Sequence, residues 1–302
     1  HAELTASNIN PAVLQPDWPG LLNASIVSHG RTDYGELIAD AEISSLTGEL
    51  RGYPVSLQSK LGWQQAGLNV RQFELHSGSS SINVQGRAGE TLKLDWSITS
   101  ENLAELYPKA KGKLQASGQF TGSQATPMIN ASINAKSISL PGYAIENIDG
   151  KLNIDLFNWQ QIKINLIAKK LTLNNYALTS LGINADSRHL AITALADQET
   201  ARIELNGQAD DQGWRGHINK ADITSQQFAN WQLKAPAALS INKDSLLLEQ
   251  LCWQQNESEM CASIKGAQPQ WQAQLQVQKS PLTLFAPWLP PDLKFEGSAD
   301  AS

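Results

Sequence analysis

No apolar run in this 302-residue chain approaches the ~18 consecutive residues of a membrane-spanning helix. The richest stretches, Ile162 to Leu173 and Leu246 to Leu251, are short and interrupted. Charge is also scarce: 17% of residues are charged, against ~25% in ordinary soluble domains, and the net charge is −6. The nearest thing to a basic cluster is Lys109, Lys111 and Lys113, with a pair at Lys169 and Lys170. A nucleic-acid binder needs a basic stripe, because phosphate contacts dominate its affinity, so no nucleic-acid partner is expected. The five histidines, His1, His29, His76, His189 and His217, are scattered singly. There is no Gly-rich phosphate loop, no His-Glu-x-x-His, no Cys-x-x-Cys and no nucleophile elbow. An enzyme needs converging polar groups; none is visible, and no catalytic residue, cofactor or metal is expected. Asp210-Asp211 reads as a turn rather than a metal site.

Cysteine is almost absent too. Cys252 and Cys261 bracket a polar stretch between two strand-like segments. A hairpin there brings them opposite each other, and closing so short a loop stabilises by about 2.5–3 kcal/mol in the chain-entropy model. That reading places the chain in an oxidising compartment. The alternatives are two buried free thiols, or a zinc site needing two further ligands, for which His217 is the nearest histidine.

What the sequence has in abundance is alternation. Leu92-Lys93-Leu94-Asp95-Trp96-Ser97-Ile98 switches between apolar and polar without a slip. Ile129 to Ala135, Leu152 to Leu156, Ile162 to Leu166, Leu190 to Ile192, Ile203 to Gly207 and Leu275 to Val277 do the same. Period two means strands with one apolar and one polar face. Turn residues separate them: Gly86 to Gly89, Gly122, Pro141-Gly142, Asn174-Asn175 and Asp210 to Gly213. On the order of twenty strands are expected, most of about 5–6 residues. Helical signals are few: Ser100 to Tyr107 with Ser100 as N-cap, Asp222 to Trp231, and Ser280 to Trp288.

The chain also repeats itself. Residues 68–122 and 246–302 share an order of strands, glycine, Trp-bearing strand, short helix and proline, then a strand such as Leu114-Gln115-Ala116-Ser117-Gly118 or Leu293-Lys294-Phe295-Glu296-Gly297. Residues 1–30 look like the end of an earlier copy, and 190–233 like a weaker one. Such repeats point to one continuous, quasi-one-dimensional unit over 1–302, itself a piece of something longer.

A single growing sheet must hide its apolar face. The expected fold is all-β: an elongated sheet curled into a U-shaped groove with an apolar interior and a few short helices. Small residues on the alternating tracks (Ala116, Gly118, Ala131, Ala135, Ala194, Gly207) leave unfilled space, or mark bulges and bends. The expected groove-lining residues are Leu94, Trp96, Ile98, Leu114, Ala116, Phe120, Ile129, Ile133, Leu152, Ile154, Leu156, Ile162, Ile164, Leu166, Ile192, Ile203, Leu205, Leu275 and Val277. Trp63, Trp96, Trp159, Trp214, Trp253 and Trp271 lie on or beside strands and are expected to fill the trough. Trp18, Trp231 and Trp288 belong to helix-proline corners.

Asn102-Leu103-Ala104-Glu105-Leu106-Tyr107-Pro108 followed by Gly112, Leu114, Ala116, Ser117-Gly118, Gly122 and Pro127, together with Cys252-Trp253 and Cys261, resembles the recurring segment of TamB-like members of the AsmA-like family. The succession of repeats carries the resemblance over nearly the whole chain; residues 156–200 agree only in strand pattern. The resemblance implies a periplasmic β-groove in a protein anchored in the inner membrane. It also implies phospholipid acyl chains as ligand, contact with the outer-membrane barrel TamA through regions not represented here, and movement of phospholipids between the two membranes. The alternative it carries is a scaffold for assembling outer-membrane barrel proteins, adding client strands at a sheet edge. A third reading is a solenoid spacer with a filled core.

Overall fold

The structure is a computed structural model that describes residues 1–34, 36–65, 67–156, 161–174, 176–210, 213–225, 230–281 and 298–301. It is all-β. The strands are β1 (Ala2–Ile9), β2 (Gly20–Asp33), β3 (Glu36–Leu50), β4 (Tyr53–Gln64), β5 (Gly67–Ser77), β6 (Ser80–Gly89), β7 (Thr91–Ser100), β8 (Lys111–Ser123), β9 (Pro127–Leu140), β10 (Tyr143–Asp155), β11 (Ile162–Leu173) and β12 (Tyr176–Asp186). They continue as β13 (His189–Leu195), β14 (Glu199–Asp210), β15 (Gly213–Ser225), β16 (Gln232–Leu233), β17 (Ala237–Ile241), β18 (Ser245–Gln255), β19 (Ser258–Ala267), β20 (Gln270–Pro281) and β21 (Ser298–Ala301). The chain divides into two compact units, His1–Phe157 with Ala168–Tyr176, and Asn158–Ile167 with Ala177–Ser302.

In the first unit β1 to β10 pair antiparallel in sequence order. In the second, β12 to β15 pair in order, β15 pairs with β17, and β18 receives both β16 and β17. The meander then continues through β19, β20 and β21. Among the described residues no pairing returns to β1, so the sheet does not close into a barrel.

The strands are longer than the sequence suggests: β2 has 14 residues and β3 has 15. Bulges explain the shortfall. They break the period-two signal while the ladder continues, as between Ile43 and Leu46 or between Val70 and Glu74. Gly86, expected in a turn, lies inside β6 at φ +132°.

The helical expectations are corrected as well. Ser100 is not a cap but the buried last residue of β7. The helix after it is one 3-10 turn, Leu103–Glu105, capped by Asn102, whose side-chain oxygen accepts from Ala104 N. The same device stands between β1 and β2: a 3-10 turn Pro11–Val13, capped by Asn10 accepting from Ala12 N. The shared pattern Asn-x-Ala-x-Leu-x-Pro, at Asn10 to Pro16 and Asn102 to Pro108, was readable in the sequence and is a sharper repeat marker than the strands. Asp222 to Ser225 ends β15 instead of starting a helix, and Trp231 bridges back to Ile223. Residues 282–297 (with Trp288), Trp159 and Phe228 lie outside the described residues.

An apolar sheet face and its closed corner

Pairing register turns alternation into surfaces. In the first unit one cross-strand row reads Ala6, Ala24, Leu46, Leu57, Leu75, Ile82, Ile98, Ala116, Ile133, Gly150 over all ten strands. The adjacent row, on the other face, reads Asn23, Thr47, Ser56, His76, Ser81, Thr99, Gln115, Asn134, Asp149 from β2 to β10. The first row is thus apolar over all ten strands and its neighbour polar, as the pleat requires.

The expected lining residues of this unit fall on the apolar face. Leu94 pairs with Phe120, Phe120 with Ile129, and Ile129 with Ile154. Trp96 pairs with Gly118, which pairs with Ala131, which pairs with Leu152. Leu114 pairs with Ala135. Leu156 sits just past β10 and is exposed. On β11, Ile162, Ile164 and Leu166 are half-buried and alternate with exposed Lys163 and Asn165. In the second unit Ile192 pairs with Ile203, Leu190 with Leu205, and Leu205 with Ile218. Leu275 and Val277 pair with Ala262 and Met260; Ile203 and Leu275 are exposed.

Burial distinguishes this face from a packed core. From β6 to β10 no Ile, Leu, Val, Phe or Trp is buried; the buried apolar residues there are Pro127, Ala131, Ala135 and Ala110. Two packed sheets would bury the large side chains and leave the small ones less important. Here the reverse holds.

Trp96, Trp214 and Trp271 lie against the sheet backbone. A side-chain atom added at Gly118 would stand 2.7 Å from the Trp96 ring, one at Gly207 2.4 Å from Trp214, and one at Gly266 2.5 Å from Trp271. Each indole lies on the backbone of a glycine in a neighbouring strand, an arrangement that covers an otherwise bare stretch of sheet. Trp96 and Phe120 also meet at 6.3 Å between ring centroids. Sequence reading missed this because the partners are joined by register alone.

The rim of the first unit is closed by a polar corner. Glu105, at the end of its 3-10 turn, is 8% exposed. Its carboxylate accepts from Ser79 N at 2.9 Å and from the Ser79 hydroxyl at 3.0 Å. Ser80 Oγ lies 2.6 Å from the same carboxylate and 2.8 Å from Ser100 Oγ. One hydroxyl has one proton, so Ser80 donates to the carboxylate and Ser100 donates to Ser80. Ser77 Oγ donates to Glu105 O at 2.7 Å. Arg51 grips the turn from outside, donating to Ala104 O and Glu105 O, both at 2.6 Å, with its guanidinium 4.4 Å from the Trp18 ring centroid. Burial pulls the Arg51 pKa below its ordinary value, against an opposing effect of Tyr53.

Cys252 and Cys261 are Cα partners across β18 and β19 and are joined by a disulfide. Alternation places them opposite to Trp253 and Met260, on the polar face. Among the described residues the one group of three clustered metal-ligating side chains is Cys252, Glu259 and Cys261, and both sulfurs are consumed by the disulfide. The polar face also carries an open cleft of about 520 Å³ lined by Asn206, Gln208, Arg215, His217, Ser240 and Glu249 among others. His1 and His29 contact each other at 2.9 Å. No described helix is long and apolar enough to cross a membrane.

An uncharacterized protein, BU087, of Buchnera aphidicola subsp. Acyrthosiphon pisum (strain APS) is 22% identical over 152 residues, which are 48% of this chain and 16% of that protein. The match therefore spans about a sixth of that curated relative. No solved structure matches the chain. The family model described as "TamB, N-terminal domain" matches residues 1–302, the full length given, and the chain belongs to that family.

Proposed function

We propose that the apolar sheet face holds phospholipid acyl chains in the periplasm, as a non-enzymatic part of a conduit between the inner and outer membranes. The observation that carries the reading is the ten-strand apolar row whose Leu and Ile side chains are all half-buried. Half-buried aliphatic side chains in a continuous sheet still have surface to lose to a ligand. Each methylene so covered contributes ~0.8 kcal/mol, and no polar contact is needed. Retention is then broad across headgroups. Family membership supports an envelope role, and contact with an outer-membrane barrel of the TamA type belongs to the same reading.

The test compares Ile133→Asp and Ile98→Asp with Asn134→Asp, one residue away on the polar face. Phospholipid co-purifying with the folded chain is quantified by mass spectrometry. The apolar-face variants lose it at least about tenfold, since a carboxylate under an acyl chain costs more than the ~1.4 kcal/mol of one decade; Asn134→Asp keeps it. Folded Ile→Asp variants with full lipid content contradict the proposal. Adducts to unfolded barrel polypeptide at a sheet edge, in place of lipid, favour the assembly-scaffold reading.

A further inference from the structure

The two units do not offer the same apolar face. In the second, the face is filled by the protein itself between β15 and β18. Ile218, Ala221, Ala237 and Leu251 are all at or below 9% exposure, with Leu233 and Trp253 packed on them. No cluster of this kind occurs on β6 to β10, where only Pro127, Ala110 and two strand alanines are buried among the apolar residues. The cluster is also pinned. Trp253 Nε1 donates to Ala221 O at 2.7 Å, so a side chain of β18 is tied to the backbone of β15 across the short strands between them. Trp96 in the first unit is different: its Nε1 has no hydrogen-bond partner, and its ring lies on Gly118. The small residues beneath Trp253 make the fit, since Ala221 and Ala237 leave room for an indole that larger side chains would displace. The disulfide at the neighbouring pair, Cys252 with Cys261, fixes the register of the Trp253 strand just beyond its bulge between Leu248 and Leu251.

We infer that Trp253 is a plug on the apolar face of the second unit: it excludes acyl chains from the surface over β15 to β18 until the indole leaves Ala221. The inference rests on the lipid-holding reading above and specifies where that surface is interrupted. It makes Trp253 a residue that positions ligand by occupying its place.

The test uses the whole chain made with photo-leucine in place of leucine, a substitution that leaves packing volumes unchanged. The protein is irradiated with vesicles of phosphatidylethanolamine and phosphatidylglycerol, and lipid adducts are mapped by mass spectrometry. The expected result is adducts at Leu94 and Leu152 but not at Leu239 or Leu248, and at least a tenfold gain at Leu239 and Leu248 in Trp253→Ala. Trp253→Phe keeps an aromatic ring in the cluster while losing the donor and part of the ring volume, and gives a smaller gain. Unchanged hydrogen exchange in β14 and β19, which flank the cluster in the same unit, shows that a variant is folded there. Leu239 and Leu248 labelled as strongly as Leu152 in the parent chain overturn the plug while leaving the lipid reading intact. So does Trp253→Ala that stays folded and gains nothing. Absence of adducts at Leu94 and Leu152 as well overturns the lipid reading itself, and the plug with it.

Discussion

Replacing Glu105 with alanine is the sharpest test of how the rim is held. The carboxylate receives Ser80 Oγ at 2.6 Å and Ser79 N at 2.9 Å, and Ser80 is fully buried. A hydrogen bond to a charged group contributes about 1.5–3 kcal/mol. Ser79 is exposed, so water replaces its bonds at little cost; Ser80 has no such recourse beyond Ser100. The carboxylate's own desolvation is recovered when it is removed, which offsets part of the loss. The balance is a local destabilisation of about 2–3 kcal/mol, confined to the Ser77–Ser80 turn and the 101–107 corner. Hydrogen exchange read by mass spectrometry measures it directly, because amides there open with the local free energy. Exchange in peptides covering 77–81 and 101–107 is expected to accelerate by about 30- to 150-fold, with β8 to β10 unchanged. Glu105→Gln, which keeps one acceptor oxygen, gives a smaller effect. Acceleration under threefold in Glu105→Ala refutes the idea that the buried carboxylate holds the corner.

Two further outcomes follow from other sites. Reducing the Cys252–Cys261 bond, or replacing both residues with serine, removes up to about 2.5–3 kcal/mol by loop-closure entropy; exchange in β18 and β19 accelerates while β2 to β7 stays unchanged. Asp186 accepts from Arg188 N at 2.8 Å and His189 N at 2.9 Å, and the Arg188 bond is the main cause that holds its pKa below the ordinary 3.8. A depressed carboxylate stabilises the fold above its unfolded pKa and loses that contribution as pH falls through the folded value. The stability difference between the parent chain and Asp186→Asn, measured by urea denaturation, is therefore constant at neutral pH and shrinks below about pH 4; a pH-independent difference contradicts this.

Much of the fold was legible in the sequence, for a physical reason. Leu94, Trp96 and Ile98 alternate with Lys93, Asp95 and Ser97 because successive side chains of a strand point to opposite faces, and such strands announce themselves. Strand ends were not legible. The irregularity around Ser137, which is at positive φ, shifts the apolar parity within β9 without a glycine in that strand to signal it. Glu105 reads as an acidic residue early in a helix, and its burial depends on a serine turn more than twenty residues away that only pairing brings close. The Trp96–Gly118 and Trp253–Ala221 contacts depend on register and on short broken strands, which composition does not encode. The Asn caps at Asn10 and Asn102 were the reverse case, visible in sequence as a shared motif and overlooked in favour of strand patterns.

The central claim is that lipid lies on the apolar face and only there. Site-specific photo-crosslinking in cells, with the probe at Ile154 and Ile164 compared with Asn153 and Lys163, tests it most directly. The account predicts labelled phospholipid captured at the two isoleucines and not at their neighbours. Equal capture at all four positions, or none at any, contradicts it.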